Sequence, residues 1–316
     1  MARYVKVSTV CSPPCVVDDD RPSEAVVRQV IEQLSARIRN VLPEKPDIIV
    51  LPEACDRPAG FSGKRTADYY RERGDRVLEF FMKTAACHGC YIAYPSARME
   101  RDGKLRNSTR IISRRGEIAG TYDKNHLVIE EYTENSIVYG EDAPVITCDF
   151  GRVACAICFD LNFDELRMKY AAAKPEMILF SSNYHGGLMQ NYWAYSCRAH
   201  FVGAISGAPG TVISPVGHII ARTTNYFEFV TATVNLDCCV VHLHENWPRL
   251  EAMKRAYGSR VTVFDPGYLG AVLVSSEMAD TSIESIVEEF ELELLDDFLG
   301  RSLAHRHAAG EAEKKV

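Results

Sequence analysis

A cysteine at the end of a strand-like segment is the residue of this chain best suited to act as a nucleophile. Cys158 closes the apolar run 152–158, and helix-forming sequence starts near Asp164. The first turn of a helix offers free N–H groups and a partial positive charge, which lower the pKa of a thiol and bind an oxyanion. A cysteine in an apolar strand is more often a small buried hydrophobic residue. Whether Cys158 is a nucleophile therefore depends on which other reactive side chains accompany it.

Two other reactive side chains also follow strand-like segments. Glu53 comes directly after the apolar run 48–52, and Lys124 follows a predicted strand that ends near Tyr122. A carboxylate can take the proton of a thiol, and an ammonium can stabilise an oxyanion. Each has a commoner explanation, a helix cap for Glu53 and a surface position for Lys124. Together with Cys158 they predict a catalytic site.

Composition narrows the class of protein. The chain has 316 residues, 47% of them hydrophobic, which is enough for a large core. The formal net charge is −7 and no basic stripe occurs, which argues against a nucleic-acid partner. No run approaches the roughly 18 apolar residues of a membrane span, and no secretory leader is recognisable. Eleven cysteines, an odd number, indicate reduced thiols. We therefore expect a cytoplasmic protein without a membrane partner.

Helix-like and strand-like segments alternate along the chain, which predicts an α/β fold, and several hairpins predict mixed sheets. Continuous helices are predicted over residues 69–87, from 193 to about 201, and over the acidic segment 282–299. No linker composition is evident, so residues 1–300 are predicted to be a single domain. The polar residues 301–316 are predicted to be a disordered tail.

The sequences around the three reactive residues resemble those of the nitrilase superfamily of carbon–nitrogen hydrolases. They are a hydrophobic strand ending in Pro-Glu53, then Tyr-Asp-Lys124-Asn-His-Leu, then Cys158-Phe-Asp-Leu-Asn-Phe-Asp-Glu-Leu. Members of this superfamily use Glu, Lys and Cys in that order, and the resemblance covers about residues 4 to 236. It implies a four-layer α-β-β-α sandwich with two mixed sheets. It also implies that neither a metal nor another cofactor is required.

The resemblance also implies a role for each residue. Glu53 accepts the proton of the thiol and later activates water. Lys124, aided by the backbone N–H of Phe159, binds the tetrahedral oxyanion. Cys158 forms a thioester with the substrate, releases ammonia or an amine, and returns to the thiol when water releases a carboxylic acid.

Many members of the superfamily place a second glutamate between the Lys and Cys motifs, where it orients the substrate amine. Glu134, six residues before Gly140, is the first candidate for this role. Glu130 and Glu131 are close enough in sequence to be alternatives.

The substrate is expected to be a small molecule with a primary amide or an N-carbamoyl group. Phe159-Asp160 resembles the amidase and carbamoylase branches, whereas true nitrilases commonly have Trp-Glu after the cysteine. Asn183, Tyr184 and His185 follow a predicted strand and are expected to line the substrate site. The alternatives are nitrile hydrolysis at the same site and, for this loop, an ordinary glycine-rich surface turn.

A metal-binding or redox function is the competing hypothesis. Residues 87–90 and 155–158 are both C-x-x-C, and Cys238, Cys239, His242 and His244 form another possible cluster. The two C-x-x-C pairs are 64 residues apart, whereas zinc ribbons use about 15–20. Residues three apart in a strand also point to opposite faces, which disfavours joint chelation by the second pair.

The chain is also predicted to form a homodimer or a higher homo-oligomer. Members of the superfamily generally dimerise through helices beside the active site, and their C-terminal segments often cross to the partner. Residues 237–300 are long enough for that role.

Overall fold

The computed structural model describes residues 1–17, 21–100 and 103–313. The helices are α1 (Ser23–Ile38), α2 (Gly63–Arg73), α3 (Arg76–His88), α4 (Ile129–Thr133), α5 (Asp164–Ala173), α6 (Leu188–Cys197), α7 (Trp247–Tyr257), α8 (Ile283–Glu289) and α9 (Leu295–Glu313). The strands are β1 (Tyr4–Val10), β2 (Ile48–Val50), β3 (Tyr91–Met99), β4 (Leu105–Ile112), β5 (Ile118–Asp123), β6 (Ile146–Cys148), β7 (Gly151–Ile157), β8 (Met177–Ser182), β9 (His200–Ile205), β10 (Thr211–Ile213), β11 (Ile219–Arg222), β12 (Phe229–Asn235), β13 (Cys238–His242), β14 (Val261–Phe264) and β15 (Ala271–Ser276). Short 3-10 helices cover Leu42–Glu44, Cys158–Asn162 and Gly258–Arg260.

The chain divides into two compact units. The larger unit is Val5–Val234, and the smaller one combines Met1–Tyr4 with Asn235–Val316. In the smaller unit β13, β15 and β14 form an antiparallel sheet. Its core contains Val241, Met253 and Ile286. Within the described ranges, no helix combines the length and apolar character needed to cross a bilayer.

Two six-stranded mixed sheets form the centre of the larger unit. Their strand orders are β12-β1-β2-β3-β4-β5 and β11-β10-β9-β8-β7-β6. In each sheet three adjacent strands are parallel, β1-β2-β3 in the first and β7-β8-β9 in the second. Strands buried on both faces need continuous apolar sequence, and all three residues of β2 are indeed buried.

Helices cover the outer face of each sheet. In the first sheet, residues of α1 and α3 share one core with β2 and β3. On the second sheet, the hydroxyl of Tyr170 in α5 donates to the carbonyl oxygen of Cys155 in β7 at 2.7 Å, and α6 packs beside α5. Strand β2 of the first sheet contacts β8 and β9 of the second. This arrangement confirms the predicted α/β fold with two mixed sheets in four α-β-β-α layers.

Helix boundaries differ from the sequence prediction where the backbone turns left-handed. Residues 69–87 were predicted as one helix, but Gly74 at φ 50° separates α2 from α3. The helix predicted from 193 to about 201 begins earlier, at Leu188. It also ends earlier, at Cys197, because Arg198 turns left-handed at φ 52° and His200 starts β9. A non-glycine residue in this conformation is uncommon, so the sequence carries no strong signal for the break at Arg198.

The acidic C-terminal segment is also interrupted. Residues 282–299 were predicted as one helix, but Glu291 at φ 50° lies between α8 and α9. The side chain of Ser282 caps α8 by accepting from the backbone N–H of Ser285 at 3.3 Å. Helix α9 continues to Glu313, where the sequence predicts a disordered tail. Alanine-rich sequence with few strong helix breakers accounts for this continuation.

A buried ion pair fixes the loop that follows β2. Asp56 Oδ2 accepts from Arg73 Nη1 at 2.6 Å, from the Tyr94 hydroxyl at 2.6 Å and from Ser96 Oγ at 3.2 Å. Arg73 Nη2 donates to the carbonyl oxygen of Ala97 at 2.6 Å. Asp56 is fully buried and Arg73 is 4% exposed. A buried charge needs such partners because it has left water, so α2, β3 and this loop are held together.

We predict that Asp56→Ala lowers the free energy of unfolding by about 3–5 kcal/mol, because Arg73 would keep a buried charge without its counterion. The matched control is Asp68→Ala, which removes an exposed pair with Arg71 and should cost less than about 1 kcal/mol. Urea unfolding of both variants measures the difference. Equal losses in the two variants would contradict a structural role for the buried pair.

Candidate active site

Cys158 lies at the tight turn where β7 ends. Its φ is +48°, in the left-handed region, and it is the first residue of the 3-10 helix Cys158–Asn162. The side chain is partly exposed, whereas the preceding strand residues 153–157 are buried. Non-glycine residues adopt such a φ where the surroundings impose it, and they cluster at functional sites. The turn therefore presents the thiol outside the packed strand.

Glu53 lies just beyond β2 and is 6% exposed. Its Oε1 accepts from Asn107 Nδ2 at 2.8 Å and from Lys124 Nζ at 3.0 Å. Its Oε2 accepts from Asn183 Nδ2 at 2.8 Å and from the Asn183 backbone N–H at 3.3 Å. Cys158 lies close enough to this carboxylate for each group to shift the pKa of the other. Donors therefore surround the carboxylate, and the candidate nucleophile lies beside it.

Lys124 follows β5 and is 2% exposed. Its Nζ donates to Glu53 Oε1 at 3.0 Å and to Glu131 Oε2 at 2.7 Å. The backbone N–H of Lys124 donates to the carbonyl oxygen of Asn107 at 2.8 Å. The ammonium is thus held between two carboxylates.

Asn107 on β4 joins these groups and was not identified from the sequence. Its Nδ2 donates to Glu131 Oε1 at 2.9 Å as well as to Glu53. The signal available in the sequence was the polar run 107–109 within β4. Asn107, Ser108 and Thr109 are all buried in the structure.

The glutamate that contacts Lys124 is Glu131, one of the two alternatives to Glu134. Glu131 belongs to α4 and is half-buried, and its Oε2 also accepts from the backbone N–H of Val128 at 3.0 Å. Glu130 and Glu134 are exposed and line the adjoining cavity. The short α4 thus turns only one of its neighbouring carboxylates towards the lysine.

The charges in the cluster set the protonation of each group. Burial alone raises the pKa of Glu53, but the charge and hydrogen bond of Lys124 outweigh burial, so this pKa lies below its usual value. Burial alone lowers the pKa of Lys124, but Glu53 and Glu131 raise it above its usual value. Burial, and then the Glu53 charge, raise the pKa of Cys158 to about 12, although Lys124 opposes this. The resting cluster therefore contains a carboxylate, an ammonium and a neutral thiol.

The loop after β8 brings one of its three predicted residues to the cluster. Asn183 binds Glu53 and lines the cavity. Tyr184 is half-buried, and its ring contacts Phe180 edge-on at a centroid distance of 6.4 Å. His185 is exposed, and its Nδ1 accepts from the backbone N–H of Gly187 at 3.1 Å. Neither Tyr184 nor His185 is among the described residues that line the cavity.

Phe159 directly follows the candidate nucleophile. Its ring contacts Phe163 edge-on at a centroid distance of 5.2 Å. The side chain is half-buried and is not among the described residues that line the cavity. Only its backbone N–H, next to the thiol in the chain, is therefore available for the predicted role.

A cavity of about 940 Å³ opens beside the cluster. Glu53, Lys124 and Cys158 lie on its surface with Asn107 and Glu131. Apolar and cationic side chains from the loop after β2 and from α2 complete the lining: Arg57, Phe61, Lys64 and Tyr70. This volume falls within the range of small-molecule pockets.

The cysteine pairs do not resemble a metal site. In the first pair Cys87 is exposed and Cys90 is buried. In the second, Cys155 is buried within β7 whereas Cys158 lies at the turn. Across residues 1–17, 21–100 and 103–313, no group of three or more His, Cys, Asp and Glu side chains is arranged to hold a metal ion.

Comparison with known proteins places this geometry in a family. The carbon-nitrogen hydrolase family model matches residues 22–240. Omega-amidase NIT2 of Xenopus tropicalis is 21% identical over 228 residues, covering 63% of this chain and 80% of the relative. Deaminated glutathione amidase of Homo sapiens is 22% identical over 261 residues, covering 73% of this chain and 79% of the relative.

Solved structures show the same fold. Nit3 of Saccharomyces cerevisiae, a member of branch 10 of the nitrilase superfamily, superposes with a TM-score of 0.59 at 16% identity, covering 81% of this chain and 95% of that one. The NitFhit protein of C. elegans gives a TM-score of 0.65 at 15% identity, with 92% and 98% coverage. The chain therefore belongs to the carbon–nitrogen hydrolase family of the nitrilase superfamily and is a hydrolase of carbon–nitrogen bonds other than peptide bonds.

Proposed function

We propose that this hydrolase cleaves a primary amide or an N-carbamoyl group through a thioester on Cys158. One observation carries the proposal: a carboxylate, an ammonium and a thiol lie together on the surface of one cavity, and the ammonium donates to the carboxylate. They are the base, the oxyanion donor and the nucleophile that acyl transfer requires.

In the first half-reaction Cys158 Sγ attacks the carbonyl carbon and Glu53 takes the thiol proton. A base is needed because the thiol is neutral, with its pKa raised to about 12. Glu53 is ionised because its own pKa is lowered. The carbonyl oxygen becomes an oxyanion that accepts hydrogen bonds from Lys124 and from the backbone N–H of Phe159.

The tetrahedral intermediate then collapses to the thioester. Glu53 returns its proton to the leaving nitrogen, and the carbon–nitrogen bond breaks to release ammonia or an amine. In the second half-reaction Glu53 takes a proton from water, whose oxygen attacks the thioester. Cys158 leaves and regains a proton, and the product is a carboxylic acid. No cofactor takes part in these steps.

Glu131 is the second glutamate of the proposed mechanism, in place of Glu134. Its contact with Lys124 at 2.7 Å supports this assignment. By raising the pKa of Lys124, Glu131 keeps the ammonium protonated, and it lies close enough to the cavity to orient the substrate amine.

The named relatives support an amide substrate. Two of them are an omega-amidase and a deaminated glutathione amidase. In an amidase from Nesterenkonia sp., a glutamate-to-glutamine variant carries the acetamide moiety of fluoroacetamide covalently at its active-site cysteine. That structure aligns with a TM-score of 0.59 at 14% identity, covering 73% of this chain and 89% of that one.

We also propose that the protein is a cytoplasmic homodimer to which residues 237–300 contribute contacts. All eleven cysteines are free thiols, which suits a reducing compartment. The proposed partner is a small molecule, and the net charge of −7 disfavours nucleic acid.

The opposing charges around Cys158 predict opposite changes in its reactivity towards iodoacetamide. Glu53 raises the pKa of the thiol and Lys124 lowers it. Because the thiolate is the reactive form, Glu53→Gln should move the alkaline limb of the alkylation rate to lower pH. Lys124→Met should move it to higher pH, each by about one unit or more. Peptide mass mapping of Cys158 at a series of pH values measures both shifts.

Shifts of the same sign in the two variants would contradict this charge arrangement. Cys87, which is exposed on α3, provides an internal control in the same peptide map. Its alkylation profile should be the same in all three proteins.

Lys124→Met should lower kcat by about 10²–10³, because it removes one oxyanion donor. KM should change little, since the interaction strengthens in the transition state. The control is Lys83→Met, an exposed lysine of α3. Steady-state kinetics and circular dichroism of both variants test the role, and a variant with only a raised KM would assign Lys124 to substrate binding.

Matched amides and nitriles with the same side group test the substrate class. We predict a higher kcat/KM for the amide, measured by ammonia release, because Lys124 and the Phe159 N–H suit a tetrahedral oxyanion. A nitrile instead forms a thioimidate that must be hydrated first. Release should disappear in Cys158→Ala and persist in Cys87→Ala. Nitriles turned over as fast as their amides would favour the alternative nitrile-hydrolysing function.

A further inference from the structure

Asp160, two residues after the candidate nucleophile, binds two separate segments of the active site. It is fully buried. Its Oδ2 accepts from the backbone N–H of Ile157 at 2.9 Å and from the Tyr122 hydroxyl at 2.6 Å. Its Oδ1 accepts from the backbone N–H of His126 at 2.8 Å and lies 3.0 Å from Nδ1 of the same residue.

The positions of these partners in the chain are significant. Ile157 immediately precedes Cys158. Tyr122 and His126 flank Lys124, each two residues away. One carboxylate thus connects the turn that carries the thiol to the segment that carries the ammonium. The roles described above for Glu53, Lys124 and Cys158 do not use Asp160.

We propose that Asp160 is a positioning residue that sets the separation and relative direction of the Cys158 thiol and the Lys124 ammonium. The proposal deepens the function proposed above and rests on it. The thiol attacks the carbonyl carbon while the ammonium binds its oxygen, so both must fit one small group at once. A misplacement of about 1 Å is enough to cost about 10²-fold in rate.

The same hydrogen bonds stabilise an unfavourable backbone conformation. Cys158 has φ +48°, and a non-glycine residue persists there only when its surroundings impose it. The bond from the Ile157 N–H to Asp160 closes the turn on one side of Cys158. Asp160 lies in the 3-10 helix that follows, and its side chain folds back to the N–H of the residue before that helix. Its bonds to Tyr122 and His126 attach the helix to the segment that carries Lys124.

Hydrogen-bond donation to Asp160 persists over the working pH range. Burial, and then the Asp160 charge, raise the pKa of Tyr122 well above its usual value. The Tyr122 hydroxyl therefore remains protonated and donates at 2.6 Å. Hydrogen bonds to a carboxylate are stronger than those between neutral groups, so one carboxylate with several donors makes a stiff connection.

Asp160→Asn tests the proposal with little change in volume. In the asparagine, an NH2 group replaces one carboxylate oxygen of Asp160. This NH2 group cannot accept the two hydrogen bonds that the oxygen accepts in the native protein. We expect kcat per active site to fall by about 10–100-fold with KM changed less than about threefold. Active sites are counted as folded protein, measured by circular dichroism, so unfolded protein does not enter the ratio.

A pair of tyrosines separates positioning from general stability. Tyr122→Phe removes one bond to Asp160, whereas Tyr170→Phe removes a buried bond to the Cys155 carbonyl at 2.7 Å that does not involve Asp160. Both should lower Tm. Only Tyr122→Phe should lower kcat per active site, by about threefold or more. This comparison decides the question if Asp160→Asn does not fold.

The alkylation profile of Cys158 provides a readout that does not require turnover. Lys124 lowers the pKa of this thiol, so a displaced ammonium in Asp160→Asn should move the alkaline limb to higher pH. If the native enzyme hydrolyses no amide or carbamoyl compound, the proposed function fails while this shift still supports the positioning role. The positioning role would be overturned if Asp160→Asn showed an unshifted alkylation profile together with a kcat per active site within about twofold of the native value.

Discussion

The ammonium of Lys124, almost wholly removed from water, lies between the carboxylates of Glu53 and Glu131, and the rest of the site is arranged around this contact. Removing one partner of a buried ion pair costs about 3–5 kcal/mol, because the other charge stays desolvated. The end of β2, the end of β5 and the start of α4 must therefore converge. One cation cannot neutralise two anions, and the amide of Asn107 supplies the additional donors.

This arrangement divides the chemistry among groups with fixed charge. Because two anions raise the pKa of Lys124 and the lysine lowers that of Glu53, neither changes charge near neutral pH. The thiol next to them stays neutral. In the proposed mechanism the proton is therefore the mobile element, and it moves from the Cys158 thiol to the neighbouring Glu53 carboxylate.

The candidate catalytic residues could be picked out because each follows a strand-like segment. Their meeting could not be foreseen in the same way, since Glu53 and Lys124 follow strands of the first sheet and Cys158 follows a strand of the second. The choice of Glu131 over Glu134 was not predictable, since it depends on how the single turn of α4 packs. Asn107 was not predicted, because the partners of a strand residue depend on which strands lie next to it in the sheet. The α/β layers followed from alternating patterns. The break after α6 did not, because Arg198 turns left-handed without glycine.

The left-handed backbone at Cys158 has a consequence for how this chain can change over evolutionary time. An L-residue in that conformation costs about 1–2 kcal/mol relative to glycine. Selection for stability alone would therefore favour glycine at position 158. If Cys158 is the nucleophile, as proposed, its left-handed backbone is a stability–activity trade-off at one residue.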